Sequence, residues 1–174
     1  MDFIDHQTEL TELVQDILTE AKQQGADQAE VSVSMDQGLG VRVRKGELEN
    51  LEFNQDRGFG ITLYYGQRKG SASTTDSSLD AIRDTVKAAK NIAQHTQEDE
   101  CSGLADKSLM PAQAMDLDLY HPWVIEPEEA AQLAIECEAA GLRVDDRLIN
   151  SDGADVSTQP GLRVYGNRHG LIGS

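Results

Sequence analysis

The sequence predicts an α+β fold in which an antiparallel β-meander is packed by amphipathic helices. Strict alternation punctuated by glycine between Gly38 and Thr74 predicts the sheet, and helical apolar repeats around Leu10, Leu79 and Leu133 predict its cover. Within the meander, Leu39, Val41 and Val43 share one face while Arg42 and Arg44 take the other, the period of a half-buried strand. Lys45-Gly46 reads as a turn. Leu51 and Phe53 continue the apolar face past an irregularity at Glu49-Asn50, and Gln55-Asp56-Arg57-Gly58 reads as the next turn. Phe59, Ile61, Leu63 and Tyr65 form the cleanest alternation in the chain, after which Gly66-Gln67-Arg68-Lys69-Gly70 turns into Ser71 to Thr74.

Taken in order, Leu10, Leu13, Val14, Ile17, Leu18 and Ala21 recur at helical spacing, and Gly25 is the natural stop. Ala29, Val31, Val33 and Met35 then alternate with polar residues as a first strand, which enters the meander through Asp36-Gln37-Gly38. After the meander, Thr75-Asp76-Ser77-Ser78 reads as a helix start, with Ser77 and Asp80 spaced as a capping-box variant. Leu79, Ile82, Val86, Ala89 and Ala93 mark the buried stripe of that helix, and its opposite side is charged. From Thr96 to Ile125 the periodic signal fades into a long connection, whose second half is expected to be pinned by Leu117, Leu119, Tyr120 and a buried Trp123.

Pro127, followed by Glu128 and Glu129, starts a third helix running to about Val144. Its inner face reads as Ala130, Leu133, Ala134 and Cys137, and small residues there permit close approach to a sheet or another helix. A turn at Asp152-Gly153 and a hairpin around Gly166 to Gly170 follow. The expected organisation is thus residues 1–125, an α+β domain with its connecting loop, and residues 126–174, a helix and hairpin leading into a truncated C-terminal portion. Tyr65 to Gly70 and Tyr165 to Gly170 share the pattern Tyr, Gly, amide, Arg, base, Gly. Duplication and independent turn chemistry both account for the echo, and unlike turn conformations would exclude duplication.

Composition narrows the function. Against 15 Lys and Arg stand 31 Asp and Glu, a formal net charge of -16 that repels a phosphate backbone, so no direct nucleic-acid ligand is expected. The first residues lack a basic region followed by an apolar one, and no stretch approaches the ~20 apolar residues of a spanning helix. A cytoplasmic protein without membrane contact is expected. Cys101 and Cys137 are the only cysteines, expected to be reduced and structural. His6, His95, His121 and His169 are scattered and form no H-E-x-x-H pair, and no glycine-rich phosphate cradle or calcium loop is present. No catalytic and no metal-ligating residue is assigned, and the substrate-binding residues are unknown; the exposed face of Arg42, Arg44 and Tyr64, with the sheet edges, is the place where an extended peptide would add.

Several segments, in this order, resemble the TldD/PmbA family: Gly25-Ala26-Asp27 before Ala29-Glu30-Val31, G-L-G-V-R-V-R-K-G-E-L-E-N from Gly38, G-F-G-I-T-L-Y-Y-G-Q-R-K-G-S-A-S-T from Gly58, D-L-Y-H-P from Asp118, and S-D-G-A from Ser151. The short turn from Gly66 to Gly70 is more similar to the PmbA (TldE) branch. The resemblance covers the N-terminal portion of such a protein. It implies a non-catalytic subunit of a TldD/TldE-type zinc metalloprotease, a heterodimer that cleaves unfolded peptides and processes precursors such as microcin B17. No cofactor is then expected in this chain, and zinc is expected on the TldD-type partner. The alternative is a peptide- or protein-binding module, a modulator of the DNA gyrase type, without hydrolysis.

Overall fold

The computed structural model describes residues 3–174. The elements run α1 (Ile4–Gln23), β1 (Gln28–Arg44), β2 (Glu47–Tyr65), β3 (Arg68–Thr74), α2 (Leu79–His95), α3 (Pro127–Leu142), β4 (Ala154–Thr158), β5 (Gly161–Asn167) and β6 (Ile172–Gly173), with a 3₁₀ turn at Lys107–Leu109. The strands pair in the order β3-β2-β1-β5-β6, and β4 pairs with β1. The fold is α+β with an antiparallel sheet, as the alternation predicts.

The chain divides into two compact units, and neither is contiguous in sequence. The first comprises the stretch up to Met35, Asp56–Leu117 and Gly161–Ser174; the second comprises Asp36–Gln55 and Asp118–Pro160. Strands β1 and β2 each contribute one half to each unit.

In the first unit, α1 buries Leu10, Val14, Ile17 and Ala21, and α2 buries Ile82, Val86 and Ala89, against Val31, Val33, Phe59, Ile61, Leu63 and Val164 of the sheet. Burying each large aliphatic side chain there contributes about 1.5–3 kcal/mol. Gly25 ends α1 in the left-handed region at φ 83°, a conformation that glycine adopts without penalty. The cap of α2 is Ser78, whose side chain accepts from the Ala81 amide, one residue later than the Ser77 pairing expected. Asp76 in turn accepts from the Ser78 amide, so the start signal holds while its register shifts. Leu79 is not in the buried stripe; as the first helical residue it lies exposed. Gly70 permits α2 to sit on β3, because a Cβ there would collide with the Ala89 carbonyl and the Ala93 amide.

In the second unit, α3 lays Ala130 and Ala134 on Leu39, Val41 and Val43, with Ala154 and Val156 of β4 alongside. The register Leu39↔Thr158 to Val43↔Ala154 fixes β4 on β1. The inner face of α3 is rotated from the expected one: Leu133 and Cys137 are exposed, and Glu138 is buried in their place. Alanines allow the helix to approach the strand closely, and the bulkier Leu133 is left outside.

Four further expectations are corrected. The first strand and the Leu39 strand are one, because β1 runs unbroken through Asp36-Gln37-Gly38. Gln55-Asp56-Arg57-Gly58 is no turn either, since β2 runs unbroken from Glu47 to Tyr65. The glycines serve proximity: a Cβ at Gly38 would lie 3.2 Å from the Thr158 carbonyl, and one at Gly58 would lie 3.2 Å from Ser34 Oγ. Leu51 and Phe53 stand 48% and 63% exposed, since the α3 cluster takes in β1 and β4 but no residue of β2. Of the anchors expected in the connection, Leu117, Leu119 and Trp123 are exposed and Tyr120 is 37% exposed, whereas Ile125 at its end packs on the α3 cluster.

The Tyr-Gly echo separates into unlike structures. Gly66 sits at φ 58° in the β2–β3 turn, whereas Gly166 lies inside β5, and the turn that follows is closed by the Asn167 amide donating to the Leu171 carbonyl. Duplication is thereby excluded by the turn geometry, and the shared pattern reflects turn chemistry.

Candidate functional site

A polar groove of the first unit starts from alternation. With Val31, Phe59, Ile61 and Leu63 turned into the core, Glu30, Ser32, Gly60, Thr62 and Tyr64 must face the other side of the sheet. The β2–β3 register brings Thr62 opposite Ser71 and Gly60 opposite Ser73, so small side chains continue across the strands. The Thr62 and Ser71 hydroxyls lie 3.0 Å apart. The result is a groove of about 460 Å³ lined by these small residues together with Glu30 and Tyr165.

Glu30 is its one charged lining residue, and its carboxylate is held in place. The Tyr64 hydroxyl donates to Oε1 at 2.9 Å and the Tyr165 hydroxyl donates to Oε2 at 3.0 Å. Desolvation by burial and the bond to Glu30 push the Tyr64 hydroxyl up to about 12. Burial also raises the Tyr165 hydroxyl. Both phenols therefore remain neutral donors at neutral pH. Asn167, fully buried at the end of β5, donates toward the Met110 sulfur and the Tyr165 oxygen, which joins the Lys107–Leu109 turn region to this cluster. A carboxylate oxygen has two lone pairs, so each Glu30 oxygen keeps acceptor capacity for a ligand. One fixed carboxylate beside a row of hydroxyls can orient and bind; the lining includes no histidine or cysteine to act as nucleophile or base.

The residues expected on an exposed face, Arg42, Arg44 and Tyr64, are each engaged within their own unit. Tyr64 is buried at 5% exposure. In the second unit, Arg42 donates to Glu49, to the Asp152 carbonyl and to Asp155, and Arg44 donates to the Ser151 carbonyl. Both guanidiniums fasten the turn before β4. The other polar construction of that unit is also structural: buried Glu138 accepts from the Lys45 and Gly46 amides at 2.8 Å each. Those amides belong to the β1–β2 turn, where Lys45 and Gly46 both take positive φ. The same two bonds, the Gly46 bond first, hold the Glu138 carboxyl below its usual range.

Three of the four histidines serve local roles, His6 beside Glu9, His95 beside the Asn91 carbonyl and His121 beside the Asp118 carbonyl, and the His169 backbone amide donates to Asn167 Oδ1. Cys101 and Cys137 are both exposed free thiols, not structural core residues. Among the described residues no group of three or more His, Cys, Asp or Glu is arranged to hold a metal ion, so the residues present do not fit a zinc site. Among them, too, no helix is long and apolar enough to cross a membrane. Glu30 escaped sequence reasoning because it read only as the polar half of an alternation. The available signal was that Glu30 and Tyr64 each alternate with the apolar positions of their own strands, which puts both on the face away from the core.

Residues 29–93 match the family described as PmbA/TldA metallopeptidase domain 1. The chain is 48% identical over 147 residues to Metalloprotease PmbA of Escherichia coli O157:H7, covering 84% of this chain and 33% of that protein. It is 49% identical over 146 residues to the Metalloprotease PmbA homolog of Haemophilus influenzae, covering 84% and 32%. The chain thus spans about one third of the length of these curated relatives. Among solved structures, a candidate modulator of DNA gyrase from Bacteroides thetaiotaomicron aligns with TM-score 0.79 at 21% identity, over 97% of this chain and 38% of that one. TldE from Thermococcus kodakarensis aligns with TM-score 0.63 at 14% identity, over 91% and 35%. At such identities these two carry the fold, while the matched first domain and near-half identity to the curated relatives carry the kinship: the chain belongs to the PmbA/TldD family.

Proposed function

We propose that this chain is the N-terminal part of a PmbA-type, non-catalytic subunit that works in the cytoplasm beside a zinc-bearing TldD-type partner, in a heterodimer that cleaves unfolded peptides and processes peptide precursors such as microcin B17. The observation that carries the reading is the 48% identity to a protein named Metalloprotease PmbA in a chain whose described residues bring no metal-ligating group together. The chain's own contribution is to bind and orient. Its open sheet face offers hydroxyls and a fixed carboxylate, groups that hold a peptide without attacking it.

The test is metal analysis of the protein carrying this chain, of a TldD-type partner, and of the purified pair. Zinc near one equivalent in the partner and the pair, with none in the protein carrying this chain, is the expected result. Stoichiometric zinc in the latter by itself would overturn the non-catalytic assignment. A binding module without hydrolysis is the second reading, favoured by the fold likeness to the Bacteroides protein described as a candidate modulator of DNA gyrase. The charge of -16 speaks against DNA as its direct ligand. Peptide cleavage by the pair separates the two readings.

A further inference from the structure

We propose that the groove on the open face of the first unit is a peptide-binding site that selects a primary ammonium group, which it anchors on Glu30. The peptide class rests on the peptide-handling role proposed above; the ammonium preference rests on the groove itself. Glu30 is the one charged residue of the lining, and two tyrosine hydroxyls fix its carboxylate without neutralising it. A charge-assisted hydrogen bond to a pre-positioned carboxylate loses little conformational freedom on binding. The floor around it is made of Ser32, Gly60, Ser71 and Ser73, side chains short enough for a peptide backbone to lie close and polar enough to meet its N–H and C=O groups. At about 460 Å³, the groove falls within the range of ligand pockets, roughly 300–1,000 Å³.

Two cations share this face without lining the groove. Lys69 stands opposite Tyr64 in the β2–β3 register, and Arg163 lies two positions before Tyr165 in β5. They confine the cation preference to the Glu30 position and disfavour a densely basic ligand. A single ammonium, from a free amino terminus or from a lysine side chain, fits this charge pattern.

The probe is a short Ala/Ser peptide with a C-terminal fluorophore, titrated with the purified protein carrying this chain and read by fluorescence anisotropy. One version has a free amino terminus and no lysine, a second is N-acetylated with one lysine, and a third is N-acetylated with that lysine acetylated. At least one of the first two should bind about tenfold more tightly than the third, and the better one identifies the source of the ammonium. In Glu30→Gln, which retains groups able to bond both tyrosines, this preference should fall to about one. Ser73→Tyr, a substitution at an exposed position of β3, should weaken all three by filling the groove.

Equal binding of the three peptides, an unchanged preference in Glu30→Gln, or no binding by the unaltered protein would each overturn the proposal. If Glu30→Gln does not fold, as judged by circular dichroism, the three-peptide preference and Ser73→Tyr decide the matter. The assay needs neither partner nor cleavage. Failure of the paired enzyme to cleave would overturn the proposed role while leaving this binding result standing, and loss of binding alone would leave the role standing.

Discussion

Strand β2 is two different environments in one element. From Phe59 to Leu63 its odd positions are buried in the core under α1 and α2, whereas from Glu47 to Gln55 every residue is exposed, Leu51 and Phe53 among them. Apolar residues alternate in both halves, cleanly from Phe59 to Tyr65 and, past the irregularity at Glu49-Asn50, at Leu51 and Phe53. The difference lies in the cover: the first unit has two helices whose apolar stripes meet β1, β2 and β5, while the small inner face of α3 meets β1 and β4. Periodicity thus specifies which face of a strand is apolar, and a second element decides whether that face is buried.

The largest expected effect breaks the covered half. Ile17→Asp places a charge among Val31, Phe59 and Ile61, and circular dichroism should show an unfolded first unit; a native spectrum would contradict the layer described here. Leu63→Ala should cost about 2–5 kcal/mol in urea denaturation, because a fully buried Leu is removed from a packed core. Phe53→Ala, in the uncovered half of the same strand, should stay within about 0.5 kcal/mol. Equal losses at Leu63 and Phe53 would erase the comparison.

Two titrations sharpen it, one in each unit. In the second, the Lys45 and Gly46 amides hold the Glu138 carboxyl below its usual range. The unfolded chain then takes up a proton near the ordinary glutamate pKa of about 4.3 while the folded one still resists, so this contribution to stability is present above that pH and is lost as the pH falls through the folded value. Thermal melts from neutral pH to about pH 3 should show an acid-side loss that is reduced in Glu138→Gln. In the first unit the sign is reversed. Burial and Glu30 raise the Tyr64 hydroxyl from 10.0 to about 12, so its contribution is complete below pH 10 and declines as the pH rises toward 12. Ultraviolet titration should show late-ionising tyrosines, since burial also raises Tyr65 and Tyr165, and Tyr64→Phe should remove one of them, the smallest of the titration effects.

The helices were legible because their signals are local: Gly25 ends α1, Asp76 and Ser78 start α2, and Pro127 opens α3. The long strands were not. Gly38 and Gly58 carry the residue type of a turn but are needed for close strand contact, and turn chemistry does not distinguish the two uses. The β1–β2 turn at Lys45-Gly46 was readable, yet its buried partner Glu138 lies far along the sequence and replaces the leucine expected to face inward. The groove was least visible. It depends on β1, β2, β3 and β5 presenting one face together, with Tyr165 meeting Glu30 across a long sequence separation. Only the place of Glu30 and Tyr64, each opposite the apolar positions of its own strand, foreshadowed it.

The proposed division of labour, in which this chain binds and its partner hydrolyses, is tested most directly by cleavage of an unfolded reporter peptide. The assay uses the protein carrying this chain, a TldD-type partner of verified competence, and their mixture, each with and without a chelator. Chelator-sensitive cleavage in the mixture, with no cleavage by the protein carrying this chain alone, is the predicted result. Cleavage by that protein alone would contradict the account.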